Sequence, residues 1–225
     1  MAANKMTRPA KRERATEVLD RLMKAYPDAR CSLDFKDPLQ LLVATILAAQ
    51  CTDARVNLIT PSLFKRYRTA KDYATAADDE LQKAIQSCGF FRQKARSIKQ
   101  ASQTIVERFG GTVPGTMEEL LQLDGVGRKT ANVLLGECFG APGITVDTHC
   151  KRVSTRLGFT KSANPDKIEQ DLMGLLPEAQ WTKFSHCLVF HGRAICQARA
   201  PYCSRCCVRD LCPFPDSREG RKIAR

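Results

Sequence analysis

Apolar residues recur along this chain at three- and four-residue intervals, and every element this spacing predicts is a helix. From Ala15 onward, Val18, Leu19, Leu22, Met23 and Tyr26 share one face, and Pro27 closes the element. Leu39 to Gln50 is apolar on nearly all sides, as befits a helix at the centre of a domain. It holds Gln40 and Thr45 and is too short to span a membrane. Glu80 to Cys88 reads as a helix stopped by Gly89, and Ala95, Ile98, Ala101, Ile105 and Phe109 stripe the next one up to Gly110-Gly111. Thr116-Met117-Glu118-Glu119 has the form of a capping box and opens a helix through Leu120, Leu121 and Leu123. Gly125 and Gly127 break it, and Arg128 to Phe139 resumes helical spacing. Thr148 to Leu157 follows. Asn164-Pro165 starts a helix burying Ile168, Leu172, Leu175 and Leu176, and the last long helix carries Trp181, Phe184, Leu188, Val189 and Ile195. No segment alternates with a period of two, so the expected fold class is all-α, without internal repeats.

Charge narrows the partner. Of 225 residues, 36 are Lys or Arg against 24 acidic ones, a net charge of +12 that favours a polyanion. Nucleic acid is preferred over a membrane because no amphipathic basic helix is evident. Met1 to Arg14 carries Lys5, Arg8, Lys11, Arg12 and Arg14 without the apolar core of a secretory signal, and reads as a flexible basic tail, residues 1–14. Eleven cysteines without such a signal imply a reducing compartment, so the expected location is cytoplasmic. Cys31, Cys51, Cys88, Cys138, Cys150 and Cys187 are scattered among apolar residues as packed free thiols.

The stretch Leu123-Asp124-Gly125-Val126-Gly127-Arg128-Lys129-Thr130 combines a backbone shaped for phosphate with an amine placed for chemistry. Two glycines let the chain turn tightly and bring its N–H groups up to an outside atom with no Cβ in the way. Together with the positive end of the second helix, those donors suit a DNA phosphate. Lys129 falls in that helix's first turn, where the dipole and Arg128 both disfavour the charged ammonium and so favour the neutral amine a nucleophile needs. Eighteen residues on, Asp147 in Val146-Asp147-Thr148-His149 stands directly before a helical segment, where an N-cap carboxylate is held in a fixed direction.

Cys196, Cys203, Cys206 and Cys212 are separated by six, two and five residues. Only Cys203 and Cys206 form a Cys-x2-Cys pair, so spacing by itself permits either zinc or an iron–sulfur cluster. The small segment after Ile195 has few apolar residues and needs a staple to hold a shape. Held so, Arg193, Arg199 and Arg205 would clamp phosphates, with Arg209 an ordinary solvated charge. His149, His186 and His191 are too dispersed to form a metal site by spacing; His191 is expected to tie helices together by a hydrogen bond, with DNA contact as the second reading.

The glycine hairpin followed by Val-Asp-Thr-His resembles the helix-hairpin-helix DNA glycosylases of the endonuclease III family, over nearly everything from Ala15 to Cys212. That resemblance implies two helical domains flanking a DNA-binding cleft: residues 31–141, ending in the hairpin, and residues 15–30 plus 142–225. Lys129 and Asp147 would face each other at the cleft's mouth. It implies that Lys129 attacks the sugar carbon bearing a damaged pyrimidine, that Asp147 assists, and that the strand is then nicked, so that one site is both glycosylase and abasic-site lyase. It assigns a 4Fe-4S cluster to Cys196, Cys203, Cys206 and Cys212, with Cys207 as an extra thiol. It places Gln50 in the gap left by the extruded nucleotide and an inserting residue at Phe90, where relatives commonly carry Leu, although one of Phe90 and Phe91 can equally be core. DNA contacts are expected from Gln50, Phe90, Arg92, Lys94, Gly125, Val126, Gly127, Arg128, Thr130, His149, Arg193 and Arg199. Relatives typically have Pro where this chain has Asp124. The expected partner is double-stranded damaged DNA, bound by a monomer without membrane involvement, at the nucleoid of a bacterium. A non-catalytic DNA adaptor would share the charge and the glycines but leave Lys129 and Asp147 without a purpose, and in a redox-sensing DNA binder the cluster would be the functional part.

Overall fold

The computed structural model describes residues 7–225, and among them there are helices and turns but no β-strand. They form two compact units: Cys31–Ala141, and the residues up to Arg30 together with Pro142–Arg225.

Helix α1 runs Arg8–Ala25, with proline in its first turn and Val18, Leu19 and Leu22 buried. Residues 8–14 are therefore not a flexible tail, which corrects the sequence expectation. Proline presets the backbone angle for a helix start, and the basic side chains find carbonyls. Lys11 donates to the Phe159 carbonyl at 2.7 Å, Arg12 to that of Gly174 at 2.9 Å and Arg14 to that of Leu211 at 2.7 Å. The remainder of the expected tail, Met1 to Met6, lies outside the described residues.

The continuous unit contains α2 (Pro38–Ala48), α3 (Asp53–Arg66), α4 (Ala70–Ala74), α5 (Asp78–Ile85), α6 (Phe91–Phe109), α7 (Met117–Leu120) and α8 (Arg128–Cys138). Helix α2 is its centre. Leu41, Leu42, Val43, Ala44, Ile46 and Leu47 are buried, and α3, α6 and α8 pack around them. Each fully buried Leu or Ile contributes on the order of 1.5–3 kcal/mol. Asp37 fixes where α2 begins, its Oδ1 accepting from the Gln40 N–H at 2.9 Å. Thr52 is the N-cap of α3 and accepts from the Arg55 N–H at 3.3 Å. The helix ahead of the hairpin is shorter than its apolar pattern implies. Thr116 does cap it, accepting from the Glu119 N–H at 3.3 Å, but α7 ends at Leu120 and the chain turns through Leu123.

The discontinuous unit joins α1 to α9 (Thr148–Arg156), α10 (Pro165–Met173) and α11 (Trp181–Ala194). Both α1 and α9 pack on α11 around Leu19, Leu22, Val153, Phe184 and Leu188. After Ile195 the chain makes only single 3-10 turns, Cys203–Arg205, Arg209–Leu211 and Phe214–Asp216, before the four-residue α12, Gly220–Ile223.

Candidate functional site

In the hairpin, Leu123 and Val126 are buried and anchor the loop from below. Gly125 adopts φ +74°, a left-handed angle, and a Cβ there would lie 3.0 Å from the Ser97 Cβ, so glycine is required twice over. Gly127 is different: it is the N-cap of α8 with φ −96°, and a Cβ there would meet nothing within 4 Å. The space beside it is open, and the first turn of α8, with its positive dipole end, faces it. Arg128 and Lys129 are exposed in that turn and Thr130 is half-buried. The geometry is that of an anion cradle with an amine at its edge.

Asp147 is the N-cap of α9, its Oδ1 accepting from the Cys150 N–H at 2.7 Å. One carboxylate oxygen is thereby fixed in direction and the group is half-buried. Two residues on, His149 is held by Arg152, whose Nη2 lies 3.1 Å from His149 Nδ1 and donates to the Gly192 carbonyl at 2.9 Å.

Gln50 and Phe90 stand out in the backbone. Among the described residues they are the two non-glycine positions with positive φ, +54° and +46°. Both are exposed, Phe90 at 68%, although large aromatics are normally buried. Phe91 by contrast packs against the core, with the Arg92 guanidinium 5.1 Å from its ring centre, so the free aromatic of the pair is Phe90. Lys94 corrects an expectation. It is only 5% exposed and its Nζ donates to the carbonyls of Leu47 at 2.8 Å and Cys88 at 2.7 Å, so it faces the interior and not a phosphate.

In the other unit, Cys196, Cys203, Cys206 and Cys212 all line one cavity, walled by Val153, Leu157, Val208 and Phe214. Among the described residues no three His, Cys, Asp or Glu side chains converge as they would around a single ion. The four thiols share that lining, and soft sulfur donors of this kind are what zinc or an iron–sulfur cluster takes. Burial pushes the Cys206 thiol up to about 12 and raises Cys203 and Cys212 as well. Thiolates here therefore need a cationic centre among them.

Two features of this cavity were not apparent from the sequence. Arg156, only 8% exposed on α9, donates to the Cys196 Sγ at 3.4 Å and to the carbonyls of Gln197 at 2.7 Å and Ala198 at 2.8 Å, and stacks 4.3 Å from the Phe214 ring centre. With Arg152 one turn earlier it forms a pair at i and i+4 on α9, the one signal that points both toward a shared neighbour. His191 is 2% exposed; its Nδ1 lies 3.0 Å from the Tyr26 hydroxyl and its Nε2 3.4 Å from the Cys206 Sγ. Burial lowers it to about 4, so the ring is neutral at pH 7. It ties α1 to α11, as its sequence context implied, and also reaches a cysteine. Arg193, Arg199 and Arg205 are exposed, whereas Arg209 pairs with Asp216 at 3.2 Å.

Comparison with known proteins follows the same lines. A family model for HhH-GPD superfamily base excision DNA repair proteins matches residues 43–178. The chain is 55% identical over 205 residues to endonuclease III of Synechocystis sp., covering 91% of this chain and 94% of that protein. It is 43% identical over 205 residues to endonuclease III of Bacillus subtilis, covering 91% of each. A solved structure described as a trapped endonuclease III–DNA covalent intermediate, an estranged-adenine complex, superposes with a TM-score of 0.87 at 42% identity, covering 94% of this chain and 97% of that one.

Proposed function

We propose, from the premise that this chain belongs to the endonuclease III family of HhH-GPD base excision DNA repair proteins, that it removes damaged pyrimidines from duplex DNA and nicks the strand. The observation that carries the reading is Lys129 in the first turn of α8, directly after an open glycine hairpin. A phosphate in that cradle brings the sugar chain within reach of an amine.

In this reading Gln50 and Phe90 occupy the gap in the base stack when the damaged nucleotide turns out, the amide hydrogen-bonding the orphaned base and the ring wedging the stack. Arg92, the hairpin from Gly125 to Thr130, His149, Arg193 and Arg199 hold the backbone. The Lys129 nitrogen bonds to C1′ as the bond from C1′ to the base breaks and the base leaves with the electron pair. Asp147 accepts the proton released from the amine and balances charge on the sugar. Opening of the sugar ring leaves an imine between Lys129 and C1′, which acidifies the neighbouring C2′ hydrogen. Loss of that proton expels the 3′ phosphate, and hydrolysis of the imine frees Lys129. Glycosylase and lyase steps thus share one amine.

Cys196, Cys203, Cys206 and Cys212 would hold a 4Fe-4S cluster, which when bound supplies a covalent staple fixing the loop that carries Arg199 and Arg205. Support for this comes from the shared cavity, its apolar wall and the burial that disfavours bare thiolates. No described helix is long and apolar enough to cross a membrane. We infer that the protein works as a monomer in the cytoplasm, on the nucleoid.

The test is borohydride reduction of the protein mixed with duplex DNA containing an abasic site. A covalent adduct is expected from the wild type and none from Lys129→Ala. An adduct of equal yield from Lys129→Ala would remove the amine from the mechanism.

A further inference from the structure

The function proposed above gives Lys94 nothing to do, yet its placement is costly. An ammonium in the first turn of a helix opposes the macrodipole. One that is 5% exposed with only backbone carbonyls for partners also forfeits its hydration. Packing alone would be served by Met or Leu. What the charged amine adds is a bond to each of two carbonyls that helix ends leave exposed: Leu47 in the last turn of α2 and Cys88 at the end of the 3-10 segment Gln86–Cys88. Both are the negative ends of their helices, which is where a cation is favoured.

These carbonyls lie just ahead of the two strained residues. Gln50, at φ +54°, follows Leu47 by three positions, and Phe90, at φ +46°, follows Cys88 by two. A non-glycine residue in the left-handed region persists only where its surroundings hold it.

We infer that Lys94 is a positioning residue that ties the Gln50 loop to the Phe90 loop through the Leu47 and Cys88 carbonyls, so that the amide and the ring enter the base stack as one rigid tool. This rests on the reading in which Gln50 and Phe90 fill the gap left by the extruded nucleotide. It makes lesion selection a property of the pair.

The experiment is a mutant cycle over Lys94→Met, Gln50→Ala, Phe90→Ala and the double variant Lys94→Met with Phe90→Ala. The quantity read is the ratio of affinities for a duplex bearing a tetrahydrofuran abasic analogue and for the same duplex undamaged, with thermal unfolding measured alongside. Each single variant should lower that ratio roughly ten-fold, the worth of one charge-assisted hydrogen bond for Lys94 and the scale of one lost base contact for Gln50 and Phe90. The double variant should be no worse than its poorer parent, because both changes disable the same tool. Multiplicative losses, or a Lys94→Met protein that melts earlier but keeps the wild-type ratio, would overturn the inference. If Lys94→Met does not fold, Lys94→Gln, which keeps an N–H donor without the charge, is read in the same cycle. Should Gln50→Ala and Phe90→Ala both keep the wild-type ratio, the wedge reading itself fails and the inference with it.

Discussion

Asp147 offers the sharpest separation of structure from chemistry, because its carboxylate is asked to do two jobs. Its Oδ1 caps α9 through the Cys150 N–H at 2.7 Å, and the proposed mechanism needs a group that accepts a proton. Asparagine keeps an oxygen in the same place and is as good an N-cap as aspartate, so Asp147→Asn should leave stability within a few tenths of a kcal/mol, ~0.3. Alanine removes the cap and should cost about 1 kcal/mol, or ~2–4 °C in Tm for a chain of this size. The chemistry divides differently. An amide takes up no proton at neutral pH, so both variants should release a damaged pyrimidine roughly 10²–10⁴ times more slowly in single turnover. Affinity for abasic duplex should be largely retained in Asp147→Asn. Urea melts and single-turnover base release on the same preparations test the two jobs together. Wild-type turnover in Asp147→Asn would reduce this residue to a cap, and an Asn variant as unstable as the Ala variant would refute the capping argument.

The two hairpin glycines should fail in opposite ways. Gly125→Ala forces a Cβ into the left-handed region and to 3.0 Å from the Ser97 Cβ, so it should lose at least ~1–2 kcal/mol in a urea melt. Gly127→Ala meets nothing within 4 Å and should stay within about 1 kcal/mol of wild type. Its methyl nevertheless occupies the open approach to the first turn of α8, so duplex affinity measured by fluorescence anisotropy should fall; unchanged affinity would argue against a phosphate there. In the other unit, Arg156→Met strips the Gln197 and Ala198 carbonyls and the Cys196 sulfur of their donor. A loss on the order of 2 kcal/mol is expected, together with faster bleaching of the colour of the proposed iron–sulfur cluster under a chelator, and bleaching at the wild-type rate would disprove the link.

Strong periodicity made most of the helices readable. The stripe from Ala95 to Phe109 became α6, and the run from Leu39 became the buried α2. Helix α3 escaped notice because its buried face is thin: Val56, Thr60 and Leu63, with Pro61 inside the helix and Leu58 left 72% exposed. The hairpin was legible because glycine spacing and a basic pair carry a backbone requirement in the residue types themselves. Lys94 was misread for a general reason. Beside Arg92 and two aromatics it looks like one more surface cation, and nothing local reveals that α6 turns it inward onto the Leu47 carbonyl, far off in the chain, and that of Cys88 just upstream. Arg156 was missed on the same ground, since its partners lie about forty residues away.

The order in which this chain is synthesised has a consequence of its own. Residues 31–141 are contiguous and can fold as soon as the ribosome has released them, whereas α1, made before them, finds its partners on α9 and α11 only once those later helices have been made. The half that bears Cys196 to Cys212 thus matures after the half that bears the hairpin. Loading of the proposed cluster would therefore take place on a polypeptide whose hairpin-bearing half has already taken shape.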